Sequence, residues 1–365
     1  MSSAWGETVK MSIFGESHGK AIGVVLDGLP AGEPIDFDAV ALQMSRRAPG
    51  RDSTSTPRRE SDLPQVVSGI LNERTTGAPL CALIENTNTK SGDYDNLKRV
   101  PRPGHADFSA YLRYGGFNDV RGGGHFSGRL TAPLVFAGAV CRQILQRRGI
   151  VIGAHVSSVA DVRDDLFDPV NVSADLLSAL SSAYFPVINE NAKQRMRDKI
   201  EAARLGLNSV GGVVECAVTG VEPGIGGPLF GGIEPVFSSI LFGIPAVKGV
   251  EFGAGFGASA LLGSENNDAY YYDGDTVKTK TNHAGGILGG ISTGMPVVFR
   301  TAFKPTPSIA LEQDSIDLNA KADVKLSVNG RHDPCIVPRA VPVVEAAAAV
   351  ALINLINLKT GGMEV

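Results

Sequence analysis

Cysteine is scarce in this sequence of 365 residues, and its members are widely spaced: Cys81, Cys141, Cys216 and Cys335. No Cys-x-x-Cys pair occurs, so the sequence indicates neither a structural zinc site nor a disulfide framework. We interpret the cysteines as buried thiols of a protein in a reducing cytoplasm.

The sequence also lacks a strong charge bias and a long uninterrupted apolar run. Its net charge is -4, which argues against nucleic acid as the main partner, because nucleic-acid binding needs an extended basic face. Residues 1–11 lack the apolar core of a signal peptide, so no export is expected. The longest apolar stretch, 340–358, is interrupted by Pro342 and three polar residues. It predicts a buried helix and no membrane span.

Glycine, in contrast, is abundant, with 44 residues that predict many tight turns. Branched apolar runs predict strands over 20–27, 65–71, 79–85, 149–159, 210–221, 246–252 and 295–301. Helical spacing of apolar residues predicts helices over 36–47, 129–148, 173–182, 191–205 and 343–358. Loops are expected through most of 224–294. The elements do not alternate as in a doubly wound sheet, so an α+β fold is predicted, with residues 1–365 as a single domain.

Two segments carry a local excess of positive charge. Between residues 98 and 129 six basic side chains stand against Asp107 and Asp119, and between 46 and 59 five arginines stand against one aspartate. The first segment contains Arg102-Pro103-Gly104-His105-Ala106-Asp107 and the run Gly122-Gly123-Gly124. Glycine lets backbone N–H groups turn toward a phosphate or carboxylate. A loop-built site for a small anion is predicted, although a solvated basic loop would have the same composition.

Gly15-Glu16-Ser17-His18-Gly19 fits the Gly-x-Ser-x-Gly pattern of a serine hydrolase. Such a nucleophile elbow needs a helix after the serine, whereas residues 20–27 have the pattern of a strand. The alternative is a loop that places Ser17 and His18 beside an anion, where the imidazole could protonate a leaving oxygen.

Three further segments rich in glycine or proline carry polar groups. Residues 255–260 imitate a dinucleotide fingerprint, but Gly263 and polar residues cut off the helix that should follow, which disfavours a Rossmann site. Residues 282–290 and 304–308 supply backbone amides, a lysine and hydroxyls that together can hold a cofactor phosphate and a flat ring. Residues 330–335 add an arginine for an anion and Asp333 for proton exchange. Histidines 18, 105, 125, 283 and 332 match no zinc motif, so no metal is expected.

Five motifs, in this order, resemble the motif set of the chorismate synthase family over nearly the whole chain: Gly15–Gly19, Arg102–Asp107, Arg121–Gly124, Asn282–Gly286 and Gly330–Cys335. The resemblance implies a lyase that converts 5-enolpyruvylshikimate 3-phosphate to chorismate and phosphate by anti-1,4-elimination. It implies reduced FMN as cofactor without net redox change, with NADPH or an external flavin reductase as the electron source. It also implies a homotetramer and a β-α-β sandwich, with central helices between antiparallel sheets.

The resemblance further implies roles for individual residues. His18 would protonate the departing phosphate, His105 would keep the flavin in its useful protonation state, and Asp333 would help a flavin nitrogen act as base. Substrate would be held by Ser17, Arg47, Arg51, Arg102, Ser127, Arg129 and Arg331. Flavin contacts would come from His125, Phe126, Ser127, Ala246, Gly289, Lys304, Pro305, Thr306, Pro307, Ser308 and Arg331.

The sequence departs from the commoner family pattern at three places. His125-Phe126 stand where many members have Arg-Ser, Pro245 replaces a common Asn, and Ser53 stands where many members have Arg, with Arg51 as a substitute. A serine hydrolase and a non-catalytic flavin-binding or nucleotide-binding module are the competing interpretations.

Overall fold

The computed structural model describes residues 3–50, 54, 60, 62–87, 96–328 and 332–359. In these ranges the strands are β1 (Ala4–Trp5), β2 (Lys10–Gly15), β3 (Ala21–Asp27), β4 (Pro64–Ser68), β5 (Ile70–Leu71), β6 (Arg74–Thr75), β7 (Leu80–Glu85), β8 (Val151–Val159), β9 (Val162–Arg163), β10 (Gly212–Thr219), β11 (Val247–Phe252), β12 (Tyr270–Asp273), β13 (Thr276–Thr279), β14 (Ile287–Leu288), β15 (Ile291–Ser292), β16 (Val297–Phe303), β17 (Gln313–Asp317) and β18 (Ala322–Leu326). The helices are α1 (Phe37–Arg47), α2 (Asp107–Tyr114), α3 (Thr131–Arg147), α4 (Ala174–Leu180), α5 (Glu190–Leu205), α6 (Ile233–Leu241), α7 (Gly263–Asn266) and α8 (Val337–Lys359).

Two antiparallel sheets form the outer layers. The first has the strand order β1-β2-β3-β7-β4 and the second has the order β11-β16-β10-β8-β9. The predicted strands are confirmed, except that the one over 65–71 is divided at Gly69 into β4 and β5. Gly69 adopts a φ of +86°, and a Cβ there would lie 2.4 Å from the Leu80 Cα atom. Only glycine fits that backbone.

The helices α3 and α8 form the layer between the sheets. Helix α3 packs against the first sheet, α8 packs against β8 and β10 of the second, and the two helices pack against each other. Their axes approach closely, since a Cβ on Gly138 of α3 would lie 2.2 Å from the Cβ of Ala346 in α8. The α+β architecture is therefore a β-α-β sandwich with a helical core, as the family resemblance implies.

Helix α1 carries two arginines from the core to the surface of a cavity. Asp36 caps its start by accepting a hydrogen bond from the backbone N–H of Asp38 at 2.8 Å, and α1 ends before Pro49, so the predicted bounds are confirmed. Near that end Arg46 is buried and donates to the carboxylate of Glu345 in α8 at 2.5 Å. A buried ion pair of this kind fixes one helix against another, because either charge alone would be costly.

Two expectations about helices are wrong. Residues 224–294 are not mainly loops, because α6 occupies Ile233–Leu241 and β12 and β13 form a hairpin. Pro235 lies in the first turn of α6, where its missing N–H costs no helical hydrogen bond. Helix α8 begins at Val337, six residues before the predicted start, and contains Pro342 within its second turn. Burial of the helix outweighs the single hydrogen bond that this proline removes.

Helix α8 is long and apolar enough, by length and composition alone, to cross a membrane. However, 94% of its most apolar window is buried inside the protein, which confirms the predicted core helix. Three of the four cysteines are also buried, Cys81 is half-buried, and all four are free thiols.

A buried histidine joins the second sheet to the segment that follows it. His155 of β8 places Nδ1 2.9 Å from Asp164 Oδ2 and Nε2 2.9 Å from Glu215 Oε2. Burial alone would lower the pKa of His155, but its hydrogen bonds to the two carboxylates and their charges outweigh burial and raise it. The imidazole is therefore held in its protonated form.

This arrangement predicts a stability that falls with rising pH. Because the pKa of His155 is raised on folding, its contribution is complete below the pKa of an unfolded histidine, about 6.5, and is lost as pH rises through the folded value. We expect the free energy of unfolding of the wild type to exceed that of His155→Gln most below that pH, and the difference to shrink toward alkaline pH. Urea denaturation across pH measures it, and a difference that is constant or grows with pH would contradict the assignment.

Candidate active site

A cavity of about 1160 Å³ collects side chains from segments throughout the chain. Its described lining includes five arginines and two lysines, against the carboxylates of Glu60 and Asp333: Arg47, Arg102, Arg113, Arg129, Arg339, Lys248 and Lys304. The same cavity has apolar wall residues, among them Trp5, Ile13, Leu134, Ile240, Ile244 and Phe303. It therefore combines an excess of basic side chains with apolar surface, in agreement with the predicted anion site.

Two of these arginines are held together by a buried carboxylate. Asp62 Oδ2 accepts a hydrogen bond from Arg47 Nη1 at 2.7 Å, and Asp62 Oδ1 accepts one from Arg129 Nη1. Arg47 also donates to Thr131 and to the Gly128 carbonyl oxygen, at 3.1 and 2.8 Å. Both guanidinium groups are therefore fixed before any ligand arrives.

The charges of this cluster are strongly coupled. Burial would raise the pKa of Asp62, but the positive charges of Arg47 and Arg129 and their hydrogen bonds outweigh it and lower the pKa. Burial lowers the pKa of Arg47 to about 10, and repulsion from Arg339 and Arg129 acts in the same direction, against the attraction of Asp62. Asp62 is therefore an ionised carboxylate at neutral pH. Glu60 is a second buried acid in this cluster, with its Oε2 3.8 Å from Arg129 Nη2.

A second carboxylate orients His105. Asp107, the first residue of α2, accepts hydrogen bonds from Arg102 Nε at 2.7 Å and Nη2 at 2.8 Å, and lies 2.6 Å from His105 Nδ1. Burial would raise the pKa of Asp107, but the hydrogen bonds from Arg102 and His105 lower it well below its usual range. An ionised carboxylate only accepts, so Nδ1 of His105 carries a hydrogen. Proton exchange is left to Nε2.

The triple glycine makes room for two imidazoles. Gly122 and Gly123 have φ values of +60° and +83°. A Cβ on Gly122 would lie 2.6 Å from His18 Nε2 and 2.8 Å from Ser17 Oγ, and a Cβ on Gly123 would lie 3.0 Å from His105 Nε2. The run was predicted to cradle an anion with its N–H groups, and its visible effect is to bring the backbone against both histidines. Although His18 itself does not line the cavity, its neighbours Ser17 and Gly122 do.

The Gly15–Gly19 motif is not a nucleophile elbow. It connects β2 to β3, which are adjacent antiparallel strands, so the serine sits in a strand-turn-strand hairpin and lacks the helix that a hydrolase elbow requires. The dinucleotide fingerprint also fails, because Gly255–Ala260 is a 3₁₀ segment and the α7 helix after it has four residues.

The loop after β16 forms another part of the wall. Lys304 Nζ donates to the Gly104 carbonyl oxygen at 2.7 Å, next to His105. Burial, followed by repulsion from Lys248, lowers the pKa of Lys304. Thr306 Oγ1 is buried and has no hydrogen-bond partner among the described residues. Ser308 Oγ accepts from Arg102 Nη1 at 3.0 Å. This loop therefore offers a cation with one hydrogen bond to the protein and a hydroxyl without a partner among the described residues.

Most of the predicted site residues meet at this cavity. The lining includes Ser17, Arg47, Arg102, His105, His125, Phe126, Ser127, Arg129, Ala246, Lys304, Thr306, Pro307, Ser308 and Asp333. Pro305 lies between two lining residues, whereas Arg51, Ser53 and Arg331 lie outside the described residues. The roles assigned to these residues stay predictions.

Residues 282–290 are not among the described residues that line the cavity, and the flavin contact assigned to Gly289 stays a prediction. Asn282 is buried, and its Nδ2 donates to the carbonyl oxygens of Pro169 and Pro296, both at 2.9 Å. Its amide therefore fixes a turn. Gly289 lies in the tight turn between β14 and β15, and it is not part of the described lining.

Sequence reasoning missed the carboxylate and the arginine that organise this site. Asp62 and Glu60 lie just after the basic segment 46–59. The change from arginines to carboxylates at that point was the feature of the sequence that could have indicated an ion-pair cluster. Arg339 lies in the first turn of α8, where it donates to Asp333 Oδ2 at 2.6 Å and to the Arg47 carbonyl oxygen at 2.9 Å. The feature of the sequence that could have identified Arg339 as a site residue is that it is a single arginine at the start of a largely apolar helix.

The fold and the cavity together are typical of an α+β enzyme that binds a small anion, with the imidazoles of His105 and His125 at the cavity wall. Comparison with known proteins identifies the family within this class of enzymes. The family model described as chorismate synthase matches residues 9–356. A chorismate synthase of Thermococcus kodakarensis is 45% identical over 344 residues, covering 94% of each chain, and one of Lancefieldella parvula is 46% identical over 365 residues, covering 97% of this chain and 96% of the relative.

A solved structure agrees with these relatives. A crystal structure of a chorismate synthase, 26% identical, covers 98% of this chain and 94% of its own, with a TM-score of 0.77. The chain belongs to the chorismate synthase family. It is accordingly a lyase that acts in aromatic amino-acid biosynthesis.

The space beside Gly122 can be tested with a matched pair of variants. We expect Gly122→Ala to lower chorismate formation on the order of 100-fold, the cost of misplacing a catalytic group by about 1 Å, because the new Cβ would displace His18 and Ser17. Gly274→Ala is the control, since Gly274 has nearly the same φ, +61°, with nothing within 4 Å of an added Cβ. Equal losses in the two variants would show that strain alone, and no contact with His18, explains the effect.

Asp62 can be tested through stability. We expect Asp62→Asn to lower the free energy of unfolding by about 3–5 kcal/mol, the usual cost of leaving buried charges without their partner. Asp314→Asn serves as the control, because Asp314 is exposed and pairs with the exposed Lys325, and it should leave stability nearly unchanged. If urea denaturation gives the two variants the same free energy of unfolding, the pairing of Asp62 with Arg47 and Arg129 does not stabilise the fold.

Proposed function

We propose that this chain forms chorismate from 5-enolpyruvylshikimate 3-phosphate, with release of phosphate by an anti-1,4-elimination that depends on reduced FMN. The observation that carries the proposal is the arginine pair on Asp62, which lines the same cavity as His105 and Ser17. The substrate bears a phosphate and two carboxylates. Guanidinium groups suit such anions because they donate paired hydrogen bonds as well as charge.

The residues of the cavity fit FMN. Lys304 supplies a cation, Thr306 supplies a buried hydroxyl without a partner among the described residues, and the wall includes apolar side chains such as Trp5 and Phe303. The volume of about 1160 Å³ exceeds the roughly 300–1,000 Å³ of common ligand pockets, which leaves room for a cofactor beside the substrate. Lys304, Thr306 and Ser127 would hold FMN. When bound, the reduced flavin supplies electron density transiently, without net oxidation.

The chain's own groups would manage the protons. In the elimination, a C–O bond to phosphate and a C–H bond of the ring break, and a new C=C bond forms. His18 would donate a proton to the departing phosphate oxygen. His105, with Nδ1–H fixed on Asp107, would exchange a proton at Nε2 and so keep the cofactor in its useful state. Asp333, paired with Arg339, would assist removal of the ring proton.

We also propose that the enzyme is a cytoplasmic homotetramer. Free thiols support a reducing compartment. Association of several copies of the chain is supported by three aromatic side chains that are almost fully exposed. Phe117, Phe230 and Phe256 are 95%, 90% and 85% exposed. Exposed aromatic groups of this kind are typical of interfaces.

Electrons for the reduction of FMN would come from NADPH or from an external flavin reductase.

The reaction can be tested by anaerobic phosphate release from 5-enolpyruvylshikimate 3-phosphate. We expect phosphate and chorismate in equal amounts with chemically reduced FMN, and neither with oxidised FMN. NADPH added to oxidised FMN then distinguishes the electron sources, because release in that tube requires a reductase activity in this chain. No release from folded protein in any tube would overturn the proposal.

The proton-transfer roles call for two variants assayed with pre-reduced FMN. We expect His105→Ala and Asp333→Asn each to lower turnover about 10²- to 10⁴-fold, the usual contribution of a general acid or base. The asparagine preserves the shape of Asp333 and removes its basicity. Asp161→Asn, at an exposed position, is the control for the loss of one negative charge. Full turnover in either site variant would disprove the role given to that residue.

A further inference from the structure

His125 follows the triple glycine and uses both ring nitrogens within the protein. Its Nδ1 lies 2.8 Å from the Gly15 carbonyl oxygen, and its Nε2 lies 2.7 Å from the Ser3 hydroxyl oxygen. A carbonyl oxygen only accepts, so Nδ1 carries a hydrogen, and in the neutral ring Nε2 accepts from Ser3. Both ring nitrogens of His125 therefore form their hydrogen bonds with other residues of the protein.

These contacts join three segments of the cavity wall. Gly15 ends β2 and leads directly into the loop that bears Ser17 and His18, while Ser3 precedes β1. Beside His125, the Gly124 carbonyl oxygen accepts a hydrogen bond from the Ser17 backbone N–H at 3.1 Å. Two consecutive residues after Gly123 therefore hold the start of the His18 loop at two points.

We propose that His125 is a positioning residue that fixes the Ser17–His18 loop against Gly122, and that it is not a ligand of the flavin. The proposal rests on the proposed function, in which His18 protonates the departing phosphate. It differs from the expectation drawn from the family resemblance, which gives position 125 a flavin contact.

The packing around His18 explains why a modest contact can matter for turnover. The Gly122 backbone leaves no spare room beside His18, since an added Cβ would lie 2.5 Å from its Cδ2 atom. Movement of the loop by a fraction of an ångström would therefore change the position of the imidazole relative to the substrate. Catalysis is sensitive to such shifts, whereas ligand affinity depends on many other contacts.

Two amide substitutions separate the two ring nitrogens. In His125→Asn the side-chain nitrogen can take the place of Nδ1 and still donate to Gly15, whereas in His125→Gln it can replace only Nε2. We expect His125→Asn to keep kcat within about threefold of the wild type and His125→Gln to lose on the order of tenfold or more. Substrate KM should change little in either variant. FMN affinity, measured by quenching of flavin fluorescence, should equal that of the wild type in both.

Hydrogen exchange gives a second measurement that does not depend on turnover. If His125 holds the loop, the amide of Ser17 should exchange faster in His125→Gln than in His125→Asn, with the same thermal stability in both. Equal exchange and equal kcat in the two variants would overturn the proposal, as would weaker FMN binding in both with kcat retained. Absence of phosphate release by the wild type would refute the proposed function instead, and the exchange data would then decide the role of His125 separately.

Discussion

The structure depends on the pairing of buried guanidinium groups with buried carboxylates. An unpaired charge in the interior costs several kcal/mol, so each internal arginine fixes the position of an acid, and each acid fixes the elements that carry them. Arg46 and Arg47 are consecutive at the end of α1, yet Arg46 pairs with Glu345 in the core and Arg47 pairs with Asp62 at the cavity. The end of α1 therefore connects the cavity wall to the central helical layer.

Local patterns in the sequence predicted most of the framework, because strands and helices are encoded by the spacing of apolar residues within a single segment. Asp36 and Ser173 cap helices where expected. The start of α8 and the existence of α6 could not be predicted in this way, since burial against distant elements compensates for an internal proline and for flanking glycines. Intrinsic helix propensity depends on the local sequence alone and does not include burial against distant elements.

The cavity could be predicted residue by residue only where a motif carried the information. His105 and Asp333, which line the cavity, lie in motifs, and the family resemblance assigned them roles. Asp62 acts between residues 47 and 129, and no local period encodes a contact across such distances in the chain. The Gly15–Gly19 pattern shows the opposite error, in which a motif suggests chemistry that its surroundings exclude. The strand after Ser17, and not the motif, decides what the serine can do.

The place of α8 in the chain has a consequence for biosynthesis. Both sheets precede α8, so the ribosome delivers ten strands of the two outer layers before the helix that separates them. Helix α3 can cover the first sheet early, but the inner face of β8 and β10 stays bare until α8 has emerged. Exposed apolar sheet in a partly made chain is the condition under which aggregation competes with folding. The interior of this enzyme can therefore be completed only late in synthesis, once this one helix has emerged.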